Sequence, residues 1–267
     1  HAAEGVVLDA DVPAQVRPGR VLATGAGEEV RMLGASPPLG VLVLPAPYGL
    51  STAAYAKTHG IEPLLVGEPM GFWRGNMPER MLLRSGTDWH LDADGINTFE
   101  AFLLERGVDP TRVSPIPLQT FLDYTDWFCE EKQIQPRPSF VTHLDVADGL
   151  FIASLDDGQR LIADAVVAAP GIARFAVIPE WVPASLPNYR WTHTCELVRF
   201  DELSGARILI VGGRQSAFEW AALLAEAGAA SIYVVHRHDP PSFEASDWEF
   251  VNELIDNPAR YLARGAS

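Results

Sequence analysis

Two separate stretches of the chain have a similar pattern of hydrophobic and polar positions. In the first, the apolar run at 41–44 is followed by a turn, a small-residue helical segment at about 51–59, Gly60, and a second apolar run at 64–66. Short apolar runs separated by a helix-length segment are typical of parallel strands joined by a crossover helix, and a glycine commonly ends such a helix. The pattern therefore predicts a β-turn-α-β unit over residues 40–68.

The second stretch repeats this order later in the chain. An apolar run at 207–211 leads into a glycine turn, an Ala-rich helical segment at about 216–227 and another strand-like run at 231–236. Alternation of strands and helices in this order indicates an α/β protein with parallel sheets. We therefore predict two Rossmann-like dinucleotide-binding lobes with three-layer architecture.

The residues between the two units have mixed patterns. Segments 97–106 and 118–133 have helical spacing, and residues 139–169 are typical of a small β meander with a hairpin turn at Asp156-Asp157-Gly158. The first residues have short strand-like pieces between turn signals. The predicted domains are an N-terminal arm at 1–39, a first lobe at 40–200 and a partial second lobe at 201–267.

Composition and charge exclude several classes of protein. The 267 residues are 48% hydrophobic, enough for an ordinary core, but the longest apolar stretches fall well short of the roughly 20 residues of a membrane helix. The net charge of −15 argues against non-specific binding to nucleic acid or to an anionic membrane, because both need a basic surface. The two cysteines, Cys129 and Cys195, form no metal or disulfide motif, so we expect a cytoplasmic protein without a metal site.

The turn of the second unit has the composition of an anion site. Gly212 and Gly213 end a buried strand and open a helix, so backbone N–H groups and the helix dipole face the loop. Ser216 is expected to cap the helix, and Arg237 is placed to meet a ribose 2′-phosphate, which favours NADPH over NADH. Arg214 stands at the second glycine of the dinucleotide fingerprint, where it either reaches a phosphate or blocks one. A glycine turn without a ligand is the alternative.

The turn of the first unit, Pro45-Ala46-Pro47-Tyr48-Gly49, departs further from that fingerprint. Pro45 and Pro47 have no N–H and each removes a donor for a pyrophosphate, while Gly49 keeps the freedom to adopt a positive φ. Glu68 lies about 20 residues beyond the turn, where such folds bind a ribose hydroxyl. Taken alone, the unit is explained equally well as structural and as a ligand site.

Arginines and tryptophans are interleaved over residues 70–95. Arg74, Arg80 and Arg84 lie near Trp73 and Trp89 in the sequence, and such side chains clamp phosphates or stack on ring systems. The alternative is a solvated loop whose arginines pair with the surplus carboxylates of this acidic chain.

Four segments, in the same order, resemble the flavoprotein monooxygenases with two dinucleotide domains, the flavin-containing and N-hydroxylating kind. PYGLSTAAYAKTHGIEPLLVGEP is similar to their FAD-binding βαβ unit, and WRGNMPERMLLRS to the next segment, which lies along the flavin. ADAVVAAPGIARFAVIP is similar to the strand and linker between domains. LSGARILIVGGRQSAFEWAALLAEAG followed by VVHRH is similar to the NADPH unit.

The resemblance implies an oxidoreductase of biosynthesis that uses FAD, NADPH and oxygen to oxygenate a small amine, sulfur or carbonyl substrate. The cofactors carry the chemistry in such enzymes, and no catalytic side chain is assigned here. Besides the substrate, the implied partner is a second copy or another chain that covers incomplete lobes. The implied cofactor-binding residues are Tyr48, Gly49, Glu68, Trp73, Arg74, Arg84, Gly212, Gly213, Gln215, Ser216 and Arg237.

The chain also departs from that family. Its first turn has lost two glycines, its C-terminal part is shorter, and its arm precedes the usual first strand. Within the arm, residues 21–25 resemble the strand that closes an FAD domain, and we expect them to pair with the first sheet. Two alternatives stay open: a homologue that has lost FAD and serves as a binding or regulatory subunit, and one with non-redox chemistry in the old cleft.

Overall fold

The computed structural model describes residues 22–24, 41–43, 46–172, 175–196, 199–237 and 239 of the chain, the first two ranges by strand pairing only. The chain divides into two compact units between Arg199 and Phe200. Both units combine parallel strands with helices, which confirms the predicted α/β class.

The first unit contains a three-stranded parallel sheet. Strand β2 (Val41–Val43) lies between β3 (Pro63–Leu65) and β9 (Ala165–Val167), and helix α1 (Pro47–Thr58) connects β2 to β3. This is the predicted β-turn-α-β unit. The helix can lie close to the sheet because its buried residues are mostly small: Gly49, Leu50, Ala53, Ala54 and Ala56.

Strand β9 corrects the predicted meander. The sequence pattern includes residues 165–169 in that antiparallel element, but β9 pairs in parallel with β2, with Ala165 opposite Val41 and Val167 opposite Val43. A short apolar run fits a buried strand of either kind, so its partner is fixed by the assembled sheet and not by local sequence.

The meander itself forms part of a four-stranded antiparallel sheet. Its strands are β1 (Leu22–Thr24), β6 (Val141–Ala147), β7 (Leu150–Leu155) and β8 (Arg160–Ala163), in the spatial order β1-β8-β7-β6. The turn predicted at 156–158 joins β7 to β8. Strand β1 pairs with β8, so the described part of the arm joins this sheet and not the parallel sheet, contrary to our expectation.

Apolar side chains of the antiparallel sheet pack with those at the end of β3. The buried members of this cluster are Val66, Ala153, Leu155, Leu161 and Ala163, and Leu64, Val141 and Val166 pack against it. Because the cluster includes residues that follow or belong to β3 and β9, it joins the antiparallel and parallel sheets into one unit.

The other described elements of the first unit are mostly helices, and two of them confirm predictions. Helix α3 (Phe99–Glu105) has Thr98 as its N-cap residue, whose hydroxyl accepts a hydrogen bond from the Ala101 N–H at 3.1 Å. Helix α4 (Leu118–Glu131) buries Tyr124 and Phe128. The shorter elements are α2 (Gly71–Gly75), β4 (Leu82–Leu83), β5 (Ile116–Pro117), α5 (Trp181–Ser185) and 3-10 turns at Pro110–Arg112 and Asn188–Arg190.

The second unit is the second predicted β-turn-α-β unit. Strand β10 (Arg207–Val211) pairs in parallel with β11 (Ser231–Val235), and α6 (Gln215–Glu226) connects them. Ala217, Trp220 and Leu224 form the buried face of α6. In the part of the chain that the structure describes, no helix has both the length and the apolar character to cross a bilayer.

Candidate functional site

Three loops meet at one edge of the parallel sheet in the first unit. Because β2, β3 and β9 run in parallel, their carboxyl ends lie side by side. Helix α1 follows β2, Glu68 follows β3, and Gly171 follows β9 with a φ of +69°. A Cβ placed on Gly171 would lie 3.7 Å from the Ala46 Cβ, so the loop after β9 packs against the start of α1.

The first turn of α1 is shaped by its cap and by proline. Ala46 is the N-cap residue with φ −98° and ψ 179°, no side chain caps the helix, and Pro47 is its first residue. The Leu50 N–H donates to the Ala46 carbonyl at 3.1 Å, which leaves the Tyr48 and Gly49 N–H groups directed out of the helix end. Proline at this position costs the helix no hydrogen bond, and α1 therefore begins four residues before the predicted start.

Gly49 has a different role from the one its sequence suggests. It is buried inside α1 and is absent from the positive-φ residues of the described chain, so the conformational freedom we expected is not used. Its position, three residues after the cap, is where the dinucleotide fold needs a small residue for close packing of helix on strand.

Glu68 lies at the start of the segment that leads into α2. Its backbone carbonyl accepts a hydrogen bond from the Gly71 N–H at 3.2 Å, and its carboxylate lies over Gly71. A Cβ on Gly71 would lie only 3.1 Å from Glu68 Oε2. The carboxylate is exposed at the carboxyl edge of the sheet, the position from which a ribose hydroxyl is bound in this kind of fold.

Trp73 and Arg74 are held against α4. The Trp73 ring meets Phe121 edge to face at 5.3 Å between centroids, and Arg74 forms an ion pair with Asp126 and donates to the Pro69 carbonyl at 3.4 Å. Arg84 is exposed directly after β4. The geometry gives Arg74 a structural partner, and the contact of these three side chains with a cofactor stays a prediction.

Asn76 is a residue that sequence reasoning did not identify. Its side-chain amide donates to the Cys195 carbonyl at 2.7 Å, 119 positions away in the chain. The bond connects the segment after α2 with the segment that ends the first unit. No local pattern could reveal it, because a side-chain hydrogen bond to a distant backbone group leaves no periodicity in the sequence.

The second unit has the same construction at the carboxyl edge of β10 and β11. Val211 and Val235 are opposite each other, and the Gly212 N–H donates to the Val235 carbonyl at 3.0 Å. Gly212 has a φ of +156°, and a Cβ there would lie 3.6 Å from that of Ala217. Gly212 therefore meets both a backbone requirement and the close approach of α6, and Arg237 follows β11 at the same edge.

The helix cap of this unit is Arg214, which corrects the role predicted for Ser216. Arg214 has φ −101° and ψ −179°, nearly the same backbone as Ala46, and makes no side-chain capping bond. Ser216 lies inside the first turn, where its hydroxyl is exposed. Gln215 donates to the Glu219 carboxylate at 2.8 Å, so this side chain already has a partner.

Two exposed arginines in the second unit indicate the kind of ligand that its loops suit. Exposed Arg214 and Arg237 beside a helix N-terminus suit an anionic ligand with phosphate groups.

Burial raises the pKa of the Cys129 thiol to about 12, so it stays protonated and unreactive at neutral pH. Over the described ranges, no three His, Cys, Asp or Glu side chains are grouped as metal ligands.

Curated relatives are similar to parts of this chain. An FAD-dependent urate hydroxylase of Xanthomonas campestris is 32% identical over 129 residues, which is 46% of this chain and 27% of that protein. A ferredoxin–NADP reductase of Acidiphilium cryptum is 32% identical over 139 residues, 49% of this chain and 39% of that protein. No protein-family model matches.

Solved structures show the fold. The bacillithiol disulfide reductase YpdA of Staphylococcus aureus has a TM-score of 0.64 at 19% identity, over 82% of this chain and 64% of that one. A flavin-containing monooxygenase of Stenotrophomonas maltophilia has a TM-score of 0.62 at 19% identity, over 83% and 67%. The chain spans about a quarter to two fifths of the length of the curated relatives. The chain thus shares its fold with these solved proteins, a bacillithiol disulfide reductase and a flavin-containing monooxygenase.

Proposed function

We propose that this chain forms the cofactor-binding part of an FAD- and NADPH-dependent oxidoreductase. The observation that carries the proposal is the pair of parallel-strand edges, each with a helix N-terminus directly after the first strand and a small residue, Gly49 or Ala217, packed three positions after the cap. Relatives named for FAD and for NADP support the same two cofactors.

In the first unit, the residues at the sheet edge fit FAD. The Tyr48 and Gly49 N–H groups would donate to its pyrophosphate, and the Glu68 carboxylate would accept a hydrogen bond from a ribose hydroxyl. Trp73, Arg74 and Arg84 would lie alongside the flavin. FAD supplies the redox chemistry when bound, and these side chains bind and orient it.

In the second unit, the glycine turn and two arginines fit NADPH. Gly212 and Gly213 let the chain turn at the strand end, the Gln215 and Ser216 N–H groups face the pyrophosphate, and the Ser216 hydroxyl adds a donor. Arg237 would bind the 2′-phosphate through its planar guanidinium. The register of β10 and β11 supports this assignment, because it brings both loops to one edge.

The narrower proposal is a cytoplasmic monooxygenase that oxygenates a small nucleophilic amine, sulfur compound or carbonyl compound in a biosynthetic reaction. It is supported by the four segments that resemble such enzymes and by the solved flavin monooxygenases among the structural neighbours. The alternative is a homologue that has lost FAD and acts as a binding or regulatory subunit. Pro47 supports that alternative, because it removes one backbone donor from the α1 turn.

The flavin itself tests the proposal. We expect the purified chain to show the visible absorption of oxidised flavin, or to gain it after incubation with FAD and removal of free FAD. NADPH added without oxygen should bleach that absorption, and oxygen should restore it, with oxygenated amine, sulfide or ketone detected by mass spectrometry. A chain that binds NADPH but takes up no FAD would overturn the oxidoreductase and leave the binding-subunit alternative.

A further inference from the structure

Strand β6 lies at one edge of the antiparallel sheet. Within the described residues it pairs with β7 alone, and six of its seven residues are exposed. An open edge presents unpaired backbone N–H and C=O groups, which makes it a template for another strand. Many proteins protect such an edge with charges of one sign, whereas β6 carries one basic and one acidic side chain, His143 and Asp145.

His143 and Asp145 interact on one face of β6. The distance from His143 Nε2 to Asp145 Oδ1 is 3.1 Å, and the two side chains are 67% and 55% exposed. They lie on either side of Leu144, so the two positions that flank this residue carry complementary groups. A hydrogen-bonding imidazole on one side is matched by a carboxylate on the other.

This complementary arrangement fits pairing with an antiparallel strand of the same sequence. If β6 of a second copy pairs so that Leu144 is opposite Leu144, each His143 is opposite an Asp145, and Thr142 is opposite Val146. Shifting the register by two residues in one direction places Asp145 opposite Asp145, and like charges at opposite positions are destabilising. Shifting it in the other direction places His143 opposite His143 and loses both imidazole–carboxylate pairs. One register is therefore selected by side-chain chemistry.

The apolar face of the sheet continues to the same edge. Leu144 is opposite Ala153 and Val146 is opposite Phe151 on β7, and Ala153 belongs to the buried cluster. Leu144 and Val146 nevertheless stay 42% and 67% exposed. Pairing with a second β6 would extend the sheet beside these two side chains and shield them from water.

The charge of the whole chain points to the same place. Two copies with a net charge of −15 each repel one another, so an interface between them must be locally neutral or complementary. Across the β6 edge, two His143 and two Asp145 side chains would alternate. This edge therefore meets the condition of local charge complementarity.

We propose that β6 is a self-association edge, on which a second copy of this chain pairs antiparallel about a twofold axis at Leu144. The two four-stranded sheets become one continuous sheet, with His143 of each copy opposite Asp145 of the other. The inference uses the meander sheet alone and is independent of the proposed cofactors.

Charge reversal tests the proposal with the full chain, by analytical ultracentrifugation over a concentration series. We expect the wild type to dimerise. His143→Asp and Asp145→His should each weaken the dimer at least about tenfold, because each places like groups opposite one another at two symmetry-related positions. The double variant with both substitutions should recover the wild-type dimer, since exchanging the two residues preserves the pairing.

Mixing the single variants provides the sharpest control. His143→Asp carries only acids at these positions and Asp145→His only imidazoles, so an equal mixture should form a heterodimer although each variant alone is largely monomeric. Circular dichroism melts should show both variants folded, because both side chains are mostly exposed. A monomeric wild type, a dimer that neither substitution weakens, or a mixture that stays monomeric would overturn the proposal.

Discussion

Asp92 is a buried carboxylate with a complete set of partners. It is 1% exposed and lies 2.9 Å from the Lys132 ammonium, which is itself 11% exposed. The Ile96 and Asn97 N–H groups donate to it at 3.2 and 2.6 Å. Burial raises the pKa of Asp92, but the Lys132 hydrogen bond and the backbone N–H groups of Asn97 and Asp94 outweigh it, and the pKa falls below its usual value.

We therefore expect Lys132→Met to destabilise the chain. A buried carboxylate without its cation typically costs about 3 kcal/mol in the free energy of unfolding, measurable by urea denaturation at pH 7. A folded pKa below the unfolded pKa gives stability that is present above the unfolded value and is lost as pH falls through the folded one. Without Lys132 the folded pKa rises, so acid unfolding should begin at a higher pH. The exposed pair of Arg112 with Asp109 supplies the control Arg112→Met, which should change little.

Arg237 is the residue on which the choice between the two nicotinamide cofactors depends in our proposal. Arg237→Ala should weaken NADPH binding about tenfold and leave NADH binding nearly unchanged, because only NADPH has the 2′-phosphate that the guanidinium would bind. Isothermal titration with both nucleotides measures the ratio. Arg207→Ala is the matched control, since Arg207 lies at the amino end of β10, away from the carboxyl ends of the strands. Equal losses for both nucleotides would contradict the assignment.

At the scale of elements, the two β-turn-α-β units share one turn geometry. Ala46 and Arg214 are both N-cap residues with extended backbone angles, and each precedes a small buried residue by three positions. Ala46 thus occupies the second-glycine position in the first unit, as Arg214 does in the second. Both units replace the glycine that allows close approach to a pyrophosphate, and they do so with side chains of very different size.

The strands and helices of these units were predictable because apolar periodicity encodes them directly. The runs at 41–44, 64–66, 207–211 and 231–236 correspond to β2, β3, β10 and β11. The pairing of β9 and of β1 was not predictable, because a three-residue strand carries too little pattern to specify its partner. The helix α1 begins four residues before its predicted start, because proline occurs in turns but is also favoured at the first helical position.

At the scale of the whole molecule, the chain consists of two units that each have their own buried residues. Tyr124, Phe99, Phe102 and Phe128 are fully or almost fully buried in the first, and Ala217, Trp220 and Leu224 are buried in the second. The tertiary contacts of the proposed site residues were not predictable from the sequence. Local sequence places Arg74 near a sheet edge, yet its ion pair with Asp126, 52 positions away, exists only in the folded unit.

We expect the two units to respond separately to core substitutions. Leu224→Ala removes a side chain that is 2% exposed in the second unit and should destabilise that unit by about 3 kcal/mol. Hydrogen exchange followed by mass spectrometry should then show faster exchange in β10, α6 and β11, with α4 unchanged. Leu122→Ala, at a buried position of α4, is the converse control. Equal acceleration in both units would show that they unfold together.

Gly71 has a consequence for how Glu68 would meet a ligand. Any side chain at position 71 would compete with the Glu68 carboxylate for one volume, since a Cβ there would lie 3.1 Å from Oε2 and 3.4 Å from Cβ and Cδ of Glu68. Because Gly71 has no side chain, the Glu68 carboxylate can occupy the space beside it. If a ribose hydroxyl bound the Glu68 carboxylate, the carboxylate would move out of the space beside Gly71. The residue at position 71 would therefore affect how readily the Glu68 carboxylate moves towards such a ligand.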